Sequence, residues 1–389
     1  VRRYTPPRPE TSPATVAHVL TTPGAELEGA LARVVAPFGG WQGLVRPGER
    51  IAVKVNLLRA ADPEHAVTTH PETLRWVLRG LLAAGAQPFV ADSPGGPNPA
   101  AAVARIWRLT GVDSLCRQEG VPLVDVESDV ITFPCPHGVL FKSFPIGRAF
   151  AEADGIVQVG VLKTHVLMRL TGAVKLTFGC VPGLEKARFH IRASRREDFA
   201  DMLLDLHLGL RPRFNVLDGI VAMEGQGPGG GTPRELGSLF AAVDGIALDA
   251  AMADRTGLPR EQLYTLAAAA RRGLLDLAHP YTLVGDPVEA VPDFVHAVKD
   301  AETMLPASLR RVSRRLVTAR PLLTRPRVCT SCGDCAAICG TRAIRLRPLP
   351  HIDDDRCVRC YACAEVCPSG ALDVVTPPLA RLLGRLRRS

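Results

Sequence analysis

The sequence predicts two units: an α/β body carrying a mostly parallel sheet, and a small cysteine-rich α+β unit after it. Three observations carry that reading. Apolar runs of strand character alternate with amphipathic helical segments through most of the 389 residues. A proline- and arginine-rich stretch, 306–327, interrupts the alternation. Eight of the eleven cysteines then fall in two runs of identical spacing, the one internal duplication in the chain.

The elements follow in order. ERIAVKVNLL (49–58) is a short apolar run with turn flanks, a buried strand. Thr69-His-Pro-Glu72 has the form of a capping box, Leu74, Val77, Leu78, Leu81 and Leu82 repeat at helical spacing, and Gly85 supplies the stop. QPFVADSPGG predicts a second strand, PAAAVARIWRL a helix and VPLVDV a third strand. DGIVQVGV (154–161) is a buried strand, DFADMLLDLHLGL a helix and FNVLDGI a strand. After the glycine-dense MEGQGPGGG come the strand LGSLFAAV and the helix GIALDAAMADRTG, stopped by Gly257. These signals place an α/β domain at 1–305, an Arg/Pro-rich linker at 306–327, the cysteine unit at 328–376 and a basic tail at 377–389. They leave open whether the body is one sheet or two lobes around a cleft.

Composition narrows the class. At 47% hydrophobic and 22% charged residues the chain is globular. It has no apolar run long enough to span a bilayer and no signal-peptide core at its start. Cysteines without an export signal point to reduced thiols and metal, hence a cytoplasmic location. The net charge of +8 is local: residues 306–327 hold seven Arg and no acid, and the last thirteen hold four. Such flanks suit an acidic redox partner or peripheral contact with an anionic membrane. They lack the interleaved aromatics that base stacking needs, so nucleic acid is not an expected partner.

The cysteines carry the strongest signal. Cys329, Cys332, Cys335 and Cys339 form one C-x2-C-x2-C-x3-C run, and Cys357, Cys360, Cys363 and Cys367 the second, followed by Pro368. Three closely spaced thiolates converge on one cubane while the fourth serves the other. The expected sets are Cys329, Cys332, Cys335 and Cys367 for one 4Fe–4S cluster, and Cys357, Cys360, Cys363 and Cys339 for the second. Gly340 stands where proline usually follows the first run. Zinc is the competing occupant of C-x-x-C pairs, but two complete four-cysteine runs favour iron and sulfur. The segment resembles the bacterial two-cluster ferredoxin domain.

In the body, residues 155–196 hold eight Lys/Arg against one acid, Glu185. Lys163 and His165 follow a predicted strand, the usual address of a ligand site in an open α/β sheet. Lys175, Cys180, Lys186 and His190 come soon after. A cationic pocket there suits a carboxylate or phosphate, and Lys or His can deliver a proton. Residues 225–230, GQGPGG, match G-x-G-x-x-G, yet Pro228 interrupts the loop and a strand follows where the dinucleotide fingerprint needs a helix. A ligand-covering loop is the expectation, and neither flavin nor nicotinamide is indicated.

VKVNLL, ADSPGG, LKTH, TGAVKLTFGCVPG, the following His190 and DGIVAMEGQGP also occur in family order in the family catalogued as domain of unknown function 362, which the body resembles. That resemblance implies site roles for Lys54, Asn56, Ser93, His190 and Glu224 in substrate binding, beside Lys163, His165, Lys175 and Cys180 as catalytic candidates. A more distant likeness runs to the lactate racemase family, where a lysine matching Lys175 carries a nickel-pincer cofactor. Racemisation has no use for two clusters, so the two-lobed cleft is the implication retained. The expected function is an iron–sulfur oxidoreductase reducing a small anionic substrate with electrons from a low-potential donor such as a ferredoxin or flavodoxin. The alternative is an electron-transfer subunit serving a separate enzyme. No feature specifies an oligomeric state.

Overall fold

One eight-stranded sheet organises the body. The structure, a computed structural model, describes residues 13–24, 26–297 and 318–378. The arginine-rich residues 306–317 and the tail residues 379–389 therefore lie outside the described residues. Seven strands run across the sheet in the order β10 (Thr282–Gly285), β1 (Thr15–Leu20), β9 (Thr232–Ala242), β8 (Phe214–Glu224), β6 (Gly155–His165), β2 (Arg50–Val55) and β3 (Gln87–Ala91). The short β7 (Arg169–Thr171) folds back on β6. β3, β2, β6 and β8 are mutually parallel, whereas β9 is antiparallel to both β8 and β1. The sheet is thus mostly parallel, as the strand–helix rhythm predicts, and it is continuous rather than split between two lobes.

Side chains alternate across the strands and supply two cores. Ile51, Val53 and Val55 join Leu74, Val77, Leu78 and Leu81 of the helix Pro71–Ala83 on one face. Ala52 joins Phe89, Leu162 and Phe199 on the other. With both faces covered, central strands are apolar throughout. The carboxyl ends of β2 and β6 break that pattern with buried Lys54, Lys163 and His165. Near this end β6 shifts register against β8 between Val161 and Lys163.

Several local expectations are corrected. His70, not Thr69, caps the helix Pro71–Ala83: its Nδ1 accepts the Glu72 amide at 3.2 Å. Thr69 instead donates to the Val159 carbonyl at 2.6 Å and stitches the helix entrance to the sheet. VPLVDV contributes a single bridge, Leu123 to Val90, because a hairpin of β4 (Val130–Pro134) and β5 (Ser143–Gly147) follows it immediately. The strand through 154–161 continues to His165, so the two candidate residues sit on it rather than after it.

The cysteine unit is built from two small antiparallel sheets. β11 (Arg320–Leu323) pairs with β14 (Leu372–Val375), and β12 (Ile344–Leu346) pairs with β13 (Pro350–Ile352). β11 falls in the stretch expected as linker; residues from 320 onward belong to the small unit because β14 needs them as its partner. The unit packs on the body through close glycine contacts. A Cβ on Gly95 would meet Val366 at 3.0 Å, and one on Gly340 would meet Ile191 at 2.2 Å. The absence of proline after the first cysteine run therefore has a packing reason. Among the described residues no helix is long and apolar enough to cross a membrane.

Candidate functional site

The eight cysteines divide between two enclosures. Cys339, Cys357, Cys360 and Cys363 line one of about 440 Å³. Cys329, Cys332, Cys335 and Cys367 line the other, of about 320 Å³. In each, the last cysteine of one run joins the first three of the other run. The remaining wall is largely apolar, including Ile338, Ile344 and Ala362 in the first and Leu346 and Leu372 in the second. All eight thiols are free, not paired as disulfides. Four soft donors around each apolar enclosure fit a 4Fe–4S cluster better than a hard-ligand metal. The second enclosure reaches the surface at the exposed Cys332, whereas the first abuts the body at Ala187, His190 and Ile191.

A third cavity, of about 690 Å³, lies between the small unit and the carboxyl ends of β2, β3 and β6. The body lines it with Lys54, Asn56, Ser93, Lys163, Lys175, Lys186 and His190, and the small unit closes it with Ile338, Ala362, Glu365 and Val366. Strand ends bring Lys54, Asp92 and Lys163 together, the usual address for ligands in open α/β sheets. This cavity shares His190, Ile338 and Ala362 with the enclosure of Cys339, Cys357, Cys360 and Cys363.

The four lysines are held differently. Lys54 pairs with Asp92 at 2.8 Å, both side chains almost wholly buried. Asp92 also accepts the Leu57 and Ser93 amides. Burial raises the Asp92 carboxyl above its ordinary range, while Lys54 and Lys186 pull it back. Gly179 permits this pair, since a Cβ there would meet Asp92 Oδ1 at 2.2 Å and Lys54 Nζ at 2.4 Å. Lys186 donates to the Ser93 carbonyl at 2.6 Å, the Ser93 hydroxyl at 3.0 Å and the Pro94 carbonyl at 3.2 Å. Burial lowers it to about 8. Lys163 donates to the Val67 carbonyl at 2.6 Å, and burial, with the charge of Lys175 next, lowers it to about 7. Lys175 has no hydrogen-bond or ion-pair partner among the described residues, and burial lowers it too. Lys175 is only part-buried, and the charge of Glu365 offsets part of the desolvation, so its ammonium, held by no direct partner, is the one open to an anion.

Glu365 is the small unit's contribution. Burial raises its carboxyl, opposed by Lys175, Lys163 and Lys186. Its Oε1 lies 3.3 Å from His165 Nε2. His165 Nδ1 accepts the Leu167 and Met168 amides at 3.1 and 3.3 Å, so the ring proton resides on Nε2, which lies near Glu365 without a hydrogen bond to it. Burial and the neighbouring lysines hold His165 well below its usual range, and burial lowers His190 to about 3. Both imidazoles are neutral at pH 7. His190 stacks on Phe199, its ring 4.6 Å away.

Of the residues singled out from sequence, Lys54, Asn56, Ser93, Lys163, Lys175 and His190 line the cavity, and His165 stands behind Glu365. Two do not join them. Cys180 is buried in the core, its thiol pushed up to about 12 by burial, which removes the thiolate that nucleophilic or ligand chemistry needs. Glu224 points away, accepting the Val295 amide at 3.0 Å and lying 4.0 Å from Arg234. Lys186, named only as part of a basic run, and Asp92 prove to be wall and counter-charge. Glu365 is absent from the sequence-based candidates because, between Cys363 and Cys367, it reads as part of a cluster run. Its meaning depends on the small unit docking here.

Comparisons with known proteins agree with this division. Residues 51–254 match the model described as domain of unknown function (DUF362), and residues 328–371 match the 4Fe-4S dicluster domain. The thylakoid-associated protein sll1697 of Synechocystis is 33% identical over 266 residues, 66% of this chain and 81% of that protein. The electron transport protein HydN of Escherichia coli is 40% identical over 60 residues, 15% of this chain and 34% of its own length. The lactate racemase apoprotein of Thermoanaerobacterium thermosaccharolyticum aligns with a TM-score of 0.40 and 14% identity, covering 61% of this chain and 55% of that one. The chain belongs to the domain of unknown function 362 family and is an iron–sulfur protein of the electron-transfer kind.

Proposed function

We propose that this member of the family is an iron–sulfur reductase acting on a small anionic organic substrate in the lysine cavity. One observation carries the reading: three buried lysines and the part-buried Lys175 face two carboxylates in a cavity that shares walls with a four-cysteine enclosure. Cys339, Cys357, Cys360 and Cys363 would hold one cluster, and Cys329, Cys332, Cys335 and Cys367 the other. Bound there, the clusters supply electrons singly.

The chain's own residues do the rest. Lys54 and Lys186 are immobilised by Asp92, Ser93 and Pro94 and set a fixed positive field. Lys175 pairs with the substrate anion. Lys163, poised near neutrality, gives a proton to the reduced product from Nζ and is reprotonated once the product has left the cavity. His165 steadies Glu365, and the small unit excludes water, which strengthens each of these interactions. An anaerobic thermal-shift screen of small carboxylates and phosphates tests the reading. A hit should raise the melting temperature of the native chain, lose that effect in Lys175→Gln and keep it in Glu224→Gln. If no anion stabilises the chain, the substrate reading fails.

The exposed edge of the second enclosure supports a donor protein. Leu346, which lines that enclosure with Cys332, is 39% exposed, Val328 next to Cys329 is 46% exposed, and the exposed Arg325, Arg327, Arg345 and Arg347 lie along the same segments. An acidic one-electron carrier such as a ferredoxin or flavodoxin suits that apolar centre and basic rim. The same edge equally serves the alternative, an electron-transfer subunit of a separate enzyme. The unpartnered Lys175 favours the reductase. Eleven free cysteines favour a cytoplasmic location.

A further inference from the structure

The glycine-rich loop joining β8 to β9 forms one wall of a fourth cavity, of about 410 Å³, facing the small unit. This cavity meets the lysine cavity at Pro228 and Glu365, which line both. No helix follows the loop, so no helix dipole attracts an anion there. Two other features do. Arg59 lies on the loop and donates to the Gly229 carbonyl at 2.7 Å, and Arg325 enters from the small unit, donating to the Gly370 carbonyl. Burial lowers Arg59, with Arg325 adding to the effect and Cys367 opposing it.

The second feature is the loop backbone. Gly229 and Gly230 line the cavity, and among the described residues their amide hydrogens make no hydrogen bond. Packing holds the loop in place: a Cβ on Gly227 would meet the Thr164 carbonyl oxygen at 2.1 Å, and one on Gly231 would meet that of Glu224 at 2.2 Å. Open backbone amides beside guanidinium groups are a recurring way to hold an oxyanion. Two carboxylates, Asp373 and Glu365, also line the cavity and oppose the two guanidinium groups; Asp373 Oδ1 accepts the Val374 amide at 2.8 Å.

We infer that Arg59 and the backbone of Gly229 and Gly230 form a second oxyanion subsite continuous with the lysine cavity. The substrate is then an elongated dianion, one end against Lys175 and the other, a carboxylate or phosphate, on the glycine loop. This inference rests on the lysine-cavity reading and adds the length and second charge of the ligand.

Calorimetric titration of the anaerobically purified full chain tests it. The probes are straight-chain monocarboxylates, α,ω-dicarboxylates from malonate to pimelate, and phosphono-carboxylates of matching length. A dianion is expected to bind at least about tenfold tighter than the monoanion of its length, with the phosphono series identifying the preferred terminal group. Arg59→Gln should erase the gain and Arg59→Lys, which keeps the charge, should keep part of it. Equal affinity for mono- and dianions overturns the inference, as does a gain that survives Arg59→Gln. Should that variant shift a cluster reduction potential and leave the gain intact, Arg59 serves the cluster and not a ligand. If acetate itself fails to bind, the lysine-cavity reading falls, and the second subsite with it.

Discussion

The cysteine unit and the lysine cavity assemble function in opposite ways. The eight thiols come from one segment, residues 329–367, and their spacing alone distributes them between two enclosures. The cavity draws Lys54 from β2, Lys163 from β6, Lys175 and Lys186 from the segments after β7, and Glu365 from the other unit. Cysteines grouped by short loops need little tertiary information. Lysines brought together at strand ends need the whole sheet, and their charges are tolerable only because Asp92, backbone carbonyls and Glu365 meet them there.

The largest expected effect tests whether the two regions are separable. Cys360→Ala should remove about four irons per chain by anaerobic metal analysis, since the cubane loses one of its four ligands. It should also weaken anion binding, because the same unit closes the cavity. Unchanged binding would show that the lysine cavity stands alone. Next comes the buried pair. Asp92→Asn leaves Lys54 uncompensated and should cost about 3–5 kcal/mol in anaerobic urea unfolding. A cost typical of a surface pair would place water in the cavity.

pH gives a smaller and more pointed test. Lys163 is protonated below about 7 and neutral above it. Anion affinity should therefore be greatest on the acid side and fall as pH rises through that value. Lys163→Gln should flatten this step of the profile. The linked stability term has a definite sign. The folded value lies below the ordinary 10.5, so the unfolded chain binds more protons between about 7 and 10.5 and stability rises with pH across that window. The smallest effect belongs to the rim: Arg345→Glu with Arg347→Glu should slow electron uptake from an acidic carrier about tenfold at low salt, the difference vanishing at high salt. Loss at every ionic strength would mean the enclosure itself is damaged.

Much of this was legible in the chain. Short apolar runs bounded by turns located β2, β3, β8 and β9, and the 3.6-residue period located the helices Pro71–Ala83 and Arg196–Leu210, because a sheet covered on both faces needs apolar strands and a helix packed on it buries one stripe. The His70 cap escaped because Thr69 offers the commoner capping residue, while its hydroxyl is claimed by β6. Cys180 and Glu224 matched motifs, but the directions of their side chains depend on core packing and on the loop beyond β8.

By itself the sequence determined the cluster spacing, the strand–helix alternation and the basic character of residues 155–196, since each is a local pattern with a local physical cause. Only the tertiary structure decided which lysines share a cavity, which of them lacks a direct hydrogen-bond or ion-pair partner, and that Glu365 enters from the cysteine unit. Those facts depend on desolvation and on distances between segments far apart in the chain, and no residue carries either quantity until the sheet is formed and the small unit is seated on it.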